Sequence, residues 1–283
     1  MPLRRLVSFI LMILPGIVFA HHEAIFGPQS SLVLSADHFV STQVFSRGLG
    51  SASDRNRSQE TTGVISAGAK LSKKIPITFT AIIPYTWVNE TDAGTHHSGM
   101  ENAILGMRYK YVLEDLQKKW DRDGNFLMGV GAVELTNGII DHPAWRGSPN
   151  GIGALLGSLE KGKWSGLAYA FGKFNGKYEG TKKGDNLFLG NGIAYTPNED
   201  MKTGKLISYQ LGFSFEQTYM DRNIGQPVFG SGGNQALLHP TSVYSPGHGL
   251  LFFGVVSIPV YRNMRDTSQQ DRFRVGSGVI YAW

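Results

Sequence analysis

The sequence predicts an all-β protein, a transmembrane antiparallel up-and-down β-barrel of about twelve strands. Three observations carry that prediction. Apolar residues recur at every second position in segment after segment of the 283 residues, the period of a strand with one greasy face. The connections alternate between tight turns and long polar loops, as the two rims of such a barrel require. The chain also opens on a secretory leader, after which no stretch can cross a membrane as a helix.

The leader is residues 1–20, MPLRRLVSFILMILPGIVFA. Arg4 and Arg5 precede an apolar run from Leu6 to Phe19, and Val18-Phe19-Ala20 sets up cleavage after Ala20. The run falls short of the ~20 residues of a spanning helix, so a membrane anchor is the weaker reading. Residues 21–35 then form a periplasmic N-terminal segment, and 36–283 form the barrel.

Twelve segments fit the spacing. The first, 38–47, is weakly patterned, as are the fifth, 124–134, and the tenth, 236–245; different pairing there would make the count ten or fourteen. The second, 60–72, runs into the turn SKKIP (72–76). The third, 76–88, puts Ile77, Phe79, Ala81, Ile83, Tyr85 and Trp87 on one side. In the fourth, 101–113, Ala103, Leu105, Met107, Tyr109, Tyr111 and Leu113 oppose Asn102, Gly106, Arg108, Lys110 and Glu114. The sixth and seventh, 150–160 and 164–174, meet at EKGK (160–163), and the eighth covers 186–196. In the ninth, 205–216, Ile207, Tyr209, Leu211, Phe213 and Phe215 oppose Ser208, Gln210, Gly212, Ser214 and Glu216. The eleventh, 249–260, follows SPGH (245–248).

The last strand is 272–283, RFRVGSGVIYAW. Phe273, Val275, Val279, Tyr281 and Trp283 share a face that only Ser277 interrupts, while Arg272, Arg274, Gly276 and Gly278 take the other. Aromatic rings gather at strand ends (Tyr85 and Trp87, Tyr109 and Tyr111, Tyr281 and Trp283), as in an interfacial girdle. The greasy face meets membrane lipid. Val279, Tyr281 and Trp283 also look like the C-terminal signal read by the outer-membrane insertion machinery, with Trp where Phe is more usual. The long loops are 48–59, 89–100, 135–149, 175–185, 217–235 and 261–271. An even strand number then puts both termini on the short-turn, periplasmic side.

Composition narrows the functions. Cysteine is absent, which excludes a disulfide framework, a thiol nucleophile and a thiolate metal site. The net charge of +5 falls to +3 once Arg4 and Arg5 leave with the leader. The pI near 9.3 is therefore no mark of a nucleic-acid partner, since no Lys/Arg cluster makes a phosphate-binding face. Mean hydropathy is −0.14, because alternating strands average out in any window.

Charges in the strands must face inward, since on the lipid side each would cost ~2–4 kcal/mol at mid-membrane. The lumen candidates are Lys70, Arg108, Lys110, Glu114, Gln210, Glu216, Arg272 and Arg274. They either fill the barrel as salt-bridged pairs or form a basic constriction that selects solutes. A twelve-stranded barrel is narrow, and the glycines of 217–235, or segment 21–35, would let either one plug it.

His21 and His22 would begin the mature chain, where an N-terminal amine and imidazole chelate copper or zinc with help from His38 and His248; the bland alternative is a solvated pair beside a cleavage site. THHSG (95–99) and DHPAW (141–145) fall on outer loops, where polar residues collect anyway. Ser98 beside His97, or Ser242 near His239, lacks a third orienting group, and neighbours on a strand point opposite ways. GIGALLG (151–157) lacks the sixth-position glycine and the following helix of a dinucleotide site. No enzyme and no required cofactor is expected.

The stretches HHEAIFGPQSSLVLSADHFVSTQVFSRG (21–48) and LLFFGVVSIPVYRNMRDTSQQDRFRVGSGVIYAW (250–283) resemble a family of Gram-negative outer-membrane proteins labelled by the MetA pathway of phenol degradation, or simply as transporters. The resemblance covers both ends and reaches the middle only in pattern. It implies a barrel of similar size that passes small, often hydrophobic or aromatic, solutes. It supplies no catalytic residue. Beside that channel stand two other expectations: a metal-linked barrel using the N-terminal histidines, and a non-conducting structural barrel.

Overall fold

The computed structural model describes residues 36–50, 57–72, 74–90, 94–116, 124–135, 149–178, 180–200, 203–266 and 270–283. The leader and residues 21–35 lie outside them, as does DHPAW. Two-residue alternation gives strands that are all antiparallel. They are β1 (His38–Leu49), β2 (Ser58–Ser72), β3 (Ile75–Glu90), β4 (Thr95–Met100), β5 (Ile104–Val112), β6 (Phe126–Glu134), β7 (Asn150–Lys161) and β8 (Trp164–Phe174). After two short pieces, β9 (Lys177–Tyr178) and β10 (Thr181–Lys182), come β11 (Asn186–Asp200) and β12 (Lys205–Thr218). Two more short pieces, β13 (Arg222–Asn223) and β14 (Gln226–Pro227), precede β15 (Gly233–Gly247), β16 (Leu250–Met264) and β17 (Asp271–Ala282).

The hydrogen-bonded order runs β11-β12-β15-β16-β17-β1-β2-β3-β5-β6-β7-β8, with β4 continuing β5 along β3. Twelve staves result, and β8 packs beside β11 to close them into a barrel. The last strand meets the first in register, Val40 opposite Tyr281 and Val44 opposite Ser277. The start of β1 and the end of β17 therefore lie at the end carrying the tight turns at Gly162, Gly204 and Gly247–Gly249.

Burial alternates with the sequence. Ile65, Phe79, Ile83, Trp87, Leu105, Tyr109, Leu211 and Tyr281 stand exposed on the outside, while Ser66, Ile82, Thr86, Arg108, Ser214 and Arg274 are buried inside. Exposed apolar side chains around buried charges invert a water-soluble protein and match a lipid environment. Leu211→Arg, mid-strand on the outer face, is expected to cost ~2–4 kcal/mol of stability in lipid. Gln210→Arg, one residue away on the lumen side, is expected to cost far less. Urea unfolding in vesicles checks both, and equal losses would contradict the orientation.

Glycines make room for rings inside. A Cβ at Gly68 would overlap Phe39, one at Gly276 would overlap Phe45, and one at Gly278 would overlap Phe253. These glycines let aromatic side chains lie flat on the neighbouring strand.

Two expectations about loops need correction. Residues 89–100 are mostly strand: β3 and β4 stay paired out to Glu90 opposite Thr95, and Gly94, at φ 66°, closes the turn. THHSG is thus the top of a barrel strand. Loop 217–235 does not fold into the lumen, because Arg222–Gly230 are exposed. Its hairpin β13–β14 pairs with β10 of the preceding long loop, building an outer sheet in the order β14-β13-β10-β9.

Candidate functional site: an interior of two characters

Half of the barrel wall presents a hydrogen-bonded polar row to the interior. On β12 and β15, Glu216 accepts from Gln235 Nε2 at 2.7 Å and from both terminal nitrogens of Arg274 at 2.6 and 2.8 Å. Arg274 also pairs with Asp271, which accepts from Gln235 at 2.5 Å. Arg47 on β1 approaches Asp271 at 4.0 Å and donates to Glu60 on β2 at 2.9 Å. Beyond Glu60, Thr62 and Thr86 share a hydroxyl contact of 2.7 Å, and Thr86 donates to Glu101. On the other side of Arg274, His239 lies between Ser214 at 2.7 Å and Ser257 at 2.8 Å. The row thus extends from β12 round to the start of β5, and all these side chains are buried.

The row holds more carboxylates than cations, with Glu101 as a fourth acid. Arg47 and Arg274 face three carboxylates, Glu60, Glu216 and Asp271, so no basic constriction forms here. Buried ions demand such pairing, because an uncompensated one costs several kcal/mol (about 3–5 when a partner is removed).

The opposite wall carries an apolar cluster, beside which Arg108, Asn125, Ser158 and the Glu134–Lys173 ion pair are also placed inside. Ile104, Phe126, Met128, Ile152, Leu156, Phe171 and Phe188 form one buried cluster on β5–β8 and β11, joined by Val64 and Ile82. Phe171 meets Phe188 edge-on, with centroids 6.4 Å apart. A second cluster, Phe39, Val243, Phe253, Val255 and Ile280, occupies the end where β1 starts and β17 finishes. Phe45 touches both clusters.

The sequence candidates divide. Arg108 is buried, caps the Ala36 carbonyl and lies 5.0 Å over the Phe39 ring. Lys110 reaches over Phe126 at 5.1 Å. Gln210 is half-buried on the inner face. Lys70 sits at the mouth, 2.7 Å from Asp37. Glu216 and Arg274 form the centre of the polar row.

Two candidates are not lumen residues. Glu114 is exposed on a single helical turn at the rim, past the end of β5. Arg272 is exposed because β17 bulges against Gly48 and Leu49. The extra residue shifts the pleat by one, and Asp271, fully buried, takes the inward place.

Val279, Tyr281 and Trp283 all face outward; Trp283 stacks on Tyr281 at 5.5 Å and on His38 at 6.1 Å. His21 and His22 fall outside the described residues. His38 and His248 lie at the same end of the barrel, and among the described residues no three metal-ligating side chains converge. Ser242 faces outward while His239 faces inward, so those two never meet.

Arg47, Glu60, Asp271 and Gln235 were not among the expected lumen residues, and His239 was weighed only as a partner for Ser242. Arg47 was the last residue and Glu60 the first of their expected strands, and their pairing, Arg47 opposite Glu60, was not readable.

No family model and no curated protein matches the sequence. Among solved structures, an outer membrane channel from Pseudomonas putida F1 is similar, at TM-score 0.69 and 10% identity over 88% of this chain and 96% of that one. The β domain of the Bordetella autotransporter BrkA matches at TM-score 0.56 and 11% identity, covering 88% of this chain and 100% of that one. The translocator domain of the autotransporter NalP from Neisseria meningitidis matches at TM-score 0.53 and 11% identity, covering 93% and 96%. At such identities the likeness is one of fold, a closed barrel of outer-membrane type.

Proposed function

We propose that the protein sits in the outer membrane of a Gram-negative cell and passes small solutes without a chemical step. Its preferred solutes have an apolar, often aromatic, body and at least one hydrogen-bonding group. The observation that carries this reading is the divided interior. Porin lumens are polar throughout, whereas here a buried cluster of Phe126, Phe171 and Phe188 faces a hydrogen-bonded row. The shared fold with an outer membrane channel and the sequence resemblance to transporters of aromatic-degrading cells point the same way. Membrane lipid surrounds the barrel, and the strand carrying Val279, Tyr281 and Trp283 addresses the insertion machinery.

Single-channel recording in a planar bilayer tests the reading. The refolded mature protein is expected to give a steady conductance that phenol partly blocks. A folded barrel that stays silent, and gains no current when phenol is added, would overturn it.

A further inference from the structure

The tight-turn end of the barrel, the periplasmic one in the proposed orientation, carries a cavity of about 580 Å³ where β11 ends, β12 begins and β15 ends. β11 makes the room. Between Tyr195 and Asn198 it has one residue more than β12 opposite, and Pro197 in that bulge has no N–H to pair. Thr196 donates its hydroxyl to Ser208 at 3.1 Å. Lys163, from the turn between β7 and β8, is brought to the same place, because its carbonyl accepts from Thr196 N at 2.8 Å.

The register sorts the outer side of this cavity into two rows. Asn198, Ile207 and Tyr244 stand opposite one another in the first. Asp200 and Lys205 stand in the second, roughly 7 Å nearer the periplasm. Tyr244 is exposed and stacks on Phe252 at 6.3 Å, as rings do at the edge of the hydrocarbon. The charged row lies where lipid headgroups begin. Asp200 and Lys205 are direct cross-strand partners, a place where opposite charges ordinarily pair. They do not pair here. The Asp200 carboxylate accepts from Thr203 at 2.6 Å, and Lys205 has no ion-pair partner among the described residues. Neither has Lys163, which lines the same cavity. Two unpaired ammonium groups and an acid therefore sit side by side at the rim of an apolar, aromatic surface.

From this we infer that the cavity is a binding site for one inner-leaflet phospholipid with a zwitterionic ethanolamine headgroup. Lys163 and Lys205 hold its phosphate. Asp200 and the side-chain carbonyl of Asn198 accept from its ammonium, and one acyl chain runs along Ile207 and Tyr244. Asp200 beside the lysines disfavours a purely anionic headgroup, and a choline headgroup has no N–H to give it. The bound lipid pins this rim of the barrel at headgroup level. The site goes beyond solute passage and stands whether or not the lumen conducts.

Native mass spectrometry tests this on the refolded mature protein, released from micelles that hold equal amounts of phosphatidylethanolamine, phosphatidylcholine and phosphatidylglycerol with the same acyl chains. The parent is expected to keep one ethanolamine lipid in preference to the other two. Lys163→Gln with Lys205→Gln, both exposed, is expected to lower that retention about tenfold, as two lysines fewer at a lipid surface should. Asp200→Asn, which can still accept from Thr203, is expected to keep a lipid but lose the preference for ethanolamine over glycerol. Lys74→Gln, exposed on the turn between β2 and β3 at the same rim, is expected to behave as the parent. Heat-dependent mobility on a gel shows that each variant is folded. A folded double-lysine variant that retains the lipid as the parent does would overturn the site. So would a parent that keeps no lipid, or that prefers the choline or glycerol lipid. Displacement of the lipid by an equal concentration of free phosphoethanolamine would overturn it as well, making the ligand a soluble compound.

Discussion

Arg274→Ala, made alone, is expected to remove about 3–5 kcal/mol of stability, because it takes from the buried Glu216 and Asp271 carboxylates their closest cation. Arg274 is 3% exposed and binds Glu216 through two nitrogens. β15 and β16 separate those two strands in the barrel, so the pair ties four staves together through the interior. Replacing both ends, Glu216→Leu with Arg274→Met, is expected to recover most of the loss, since a buried ion pair gains little over well-packed apolar groups. Asp271 then keeps Gln235 and, at 4.0 Å, Arg47. Urea unfolding in vesicles reads the stability of all three variants. Ionic current through Arg274→Ala is expected to rise, because the side chain that crosses the interior is gone. A single variant as stable as the parent would mean that water already reaches these carboxylates. The row would then be a wet pore wall rather than a closed network.

The barrel was legible to within a few residues per strand because inside and outside alternate locally, and a stave's two faces can be read without its neighbour. Trp87, Leu105 and Tyr281 point to lipid as expected, and Arg108 and Glu216 point inward. Bulges were not legible. At Asp271–Phe273 and at Glu101–Ala103 one strand carries an extra residue relative to its partner, and nothing in the strand itself announces that. This is why Arg272 was expected inside and Asp271 was overlooked. The apolar interior was hidden for a related reason. β6, FLMGVGAVE, is greasy or small on both faces until Glu134 at its end, so it looked like a weak strand, although its poor alternation is itself the mark of a largely apolar stretch of lumen. The outer sheet joins hairpins from two loops, Thr181 opposite Asn223, and no single loop encodes that meeting.

Phe171→Ala separates two meanings of the apolar wall. The side chain is 2% exposed and packs edge-on against Phe188. Truncating such a buried ring costs about 3–5 kcal/mol, part of it for the cavity left behind. Phe174→Ala, three residues on and 61% exposed on the barrel exterior, is expected to cost under ~1 kcal/mol, since surface substitutions away from special features change little. Stability alone does not decide between a filled core and a pathway, as both predict a large loss at Phe171 and a small one at Phe174. Passage does. If the cluster is the greasy side of a solute path, the space freed at Phe171 joins that path, and both conductance and entry of an apolar aromatic increase while Phe174→Ala leaves them unchanged. If the cluster is only filling, Phe171→Ala weakens the barrel and passes nothing more than the parent. That second outcome, in a variant shown to be folded, would count against the divided interior as a solute route and favour a structural barrel.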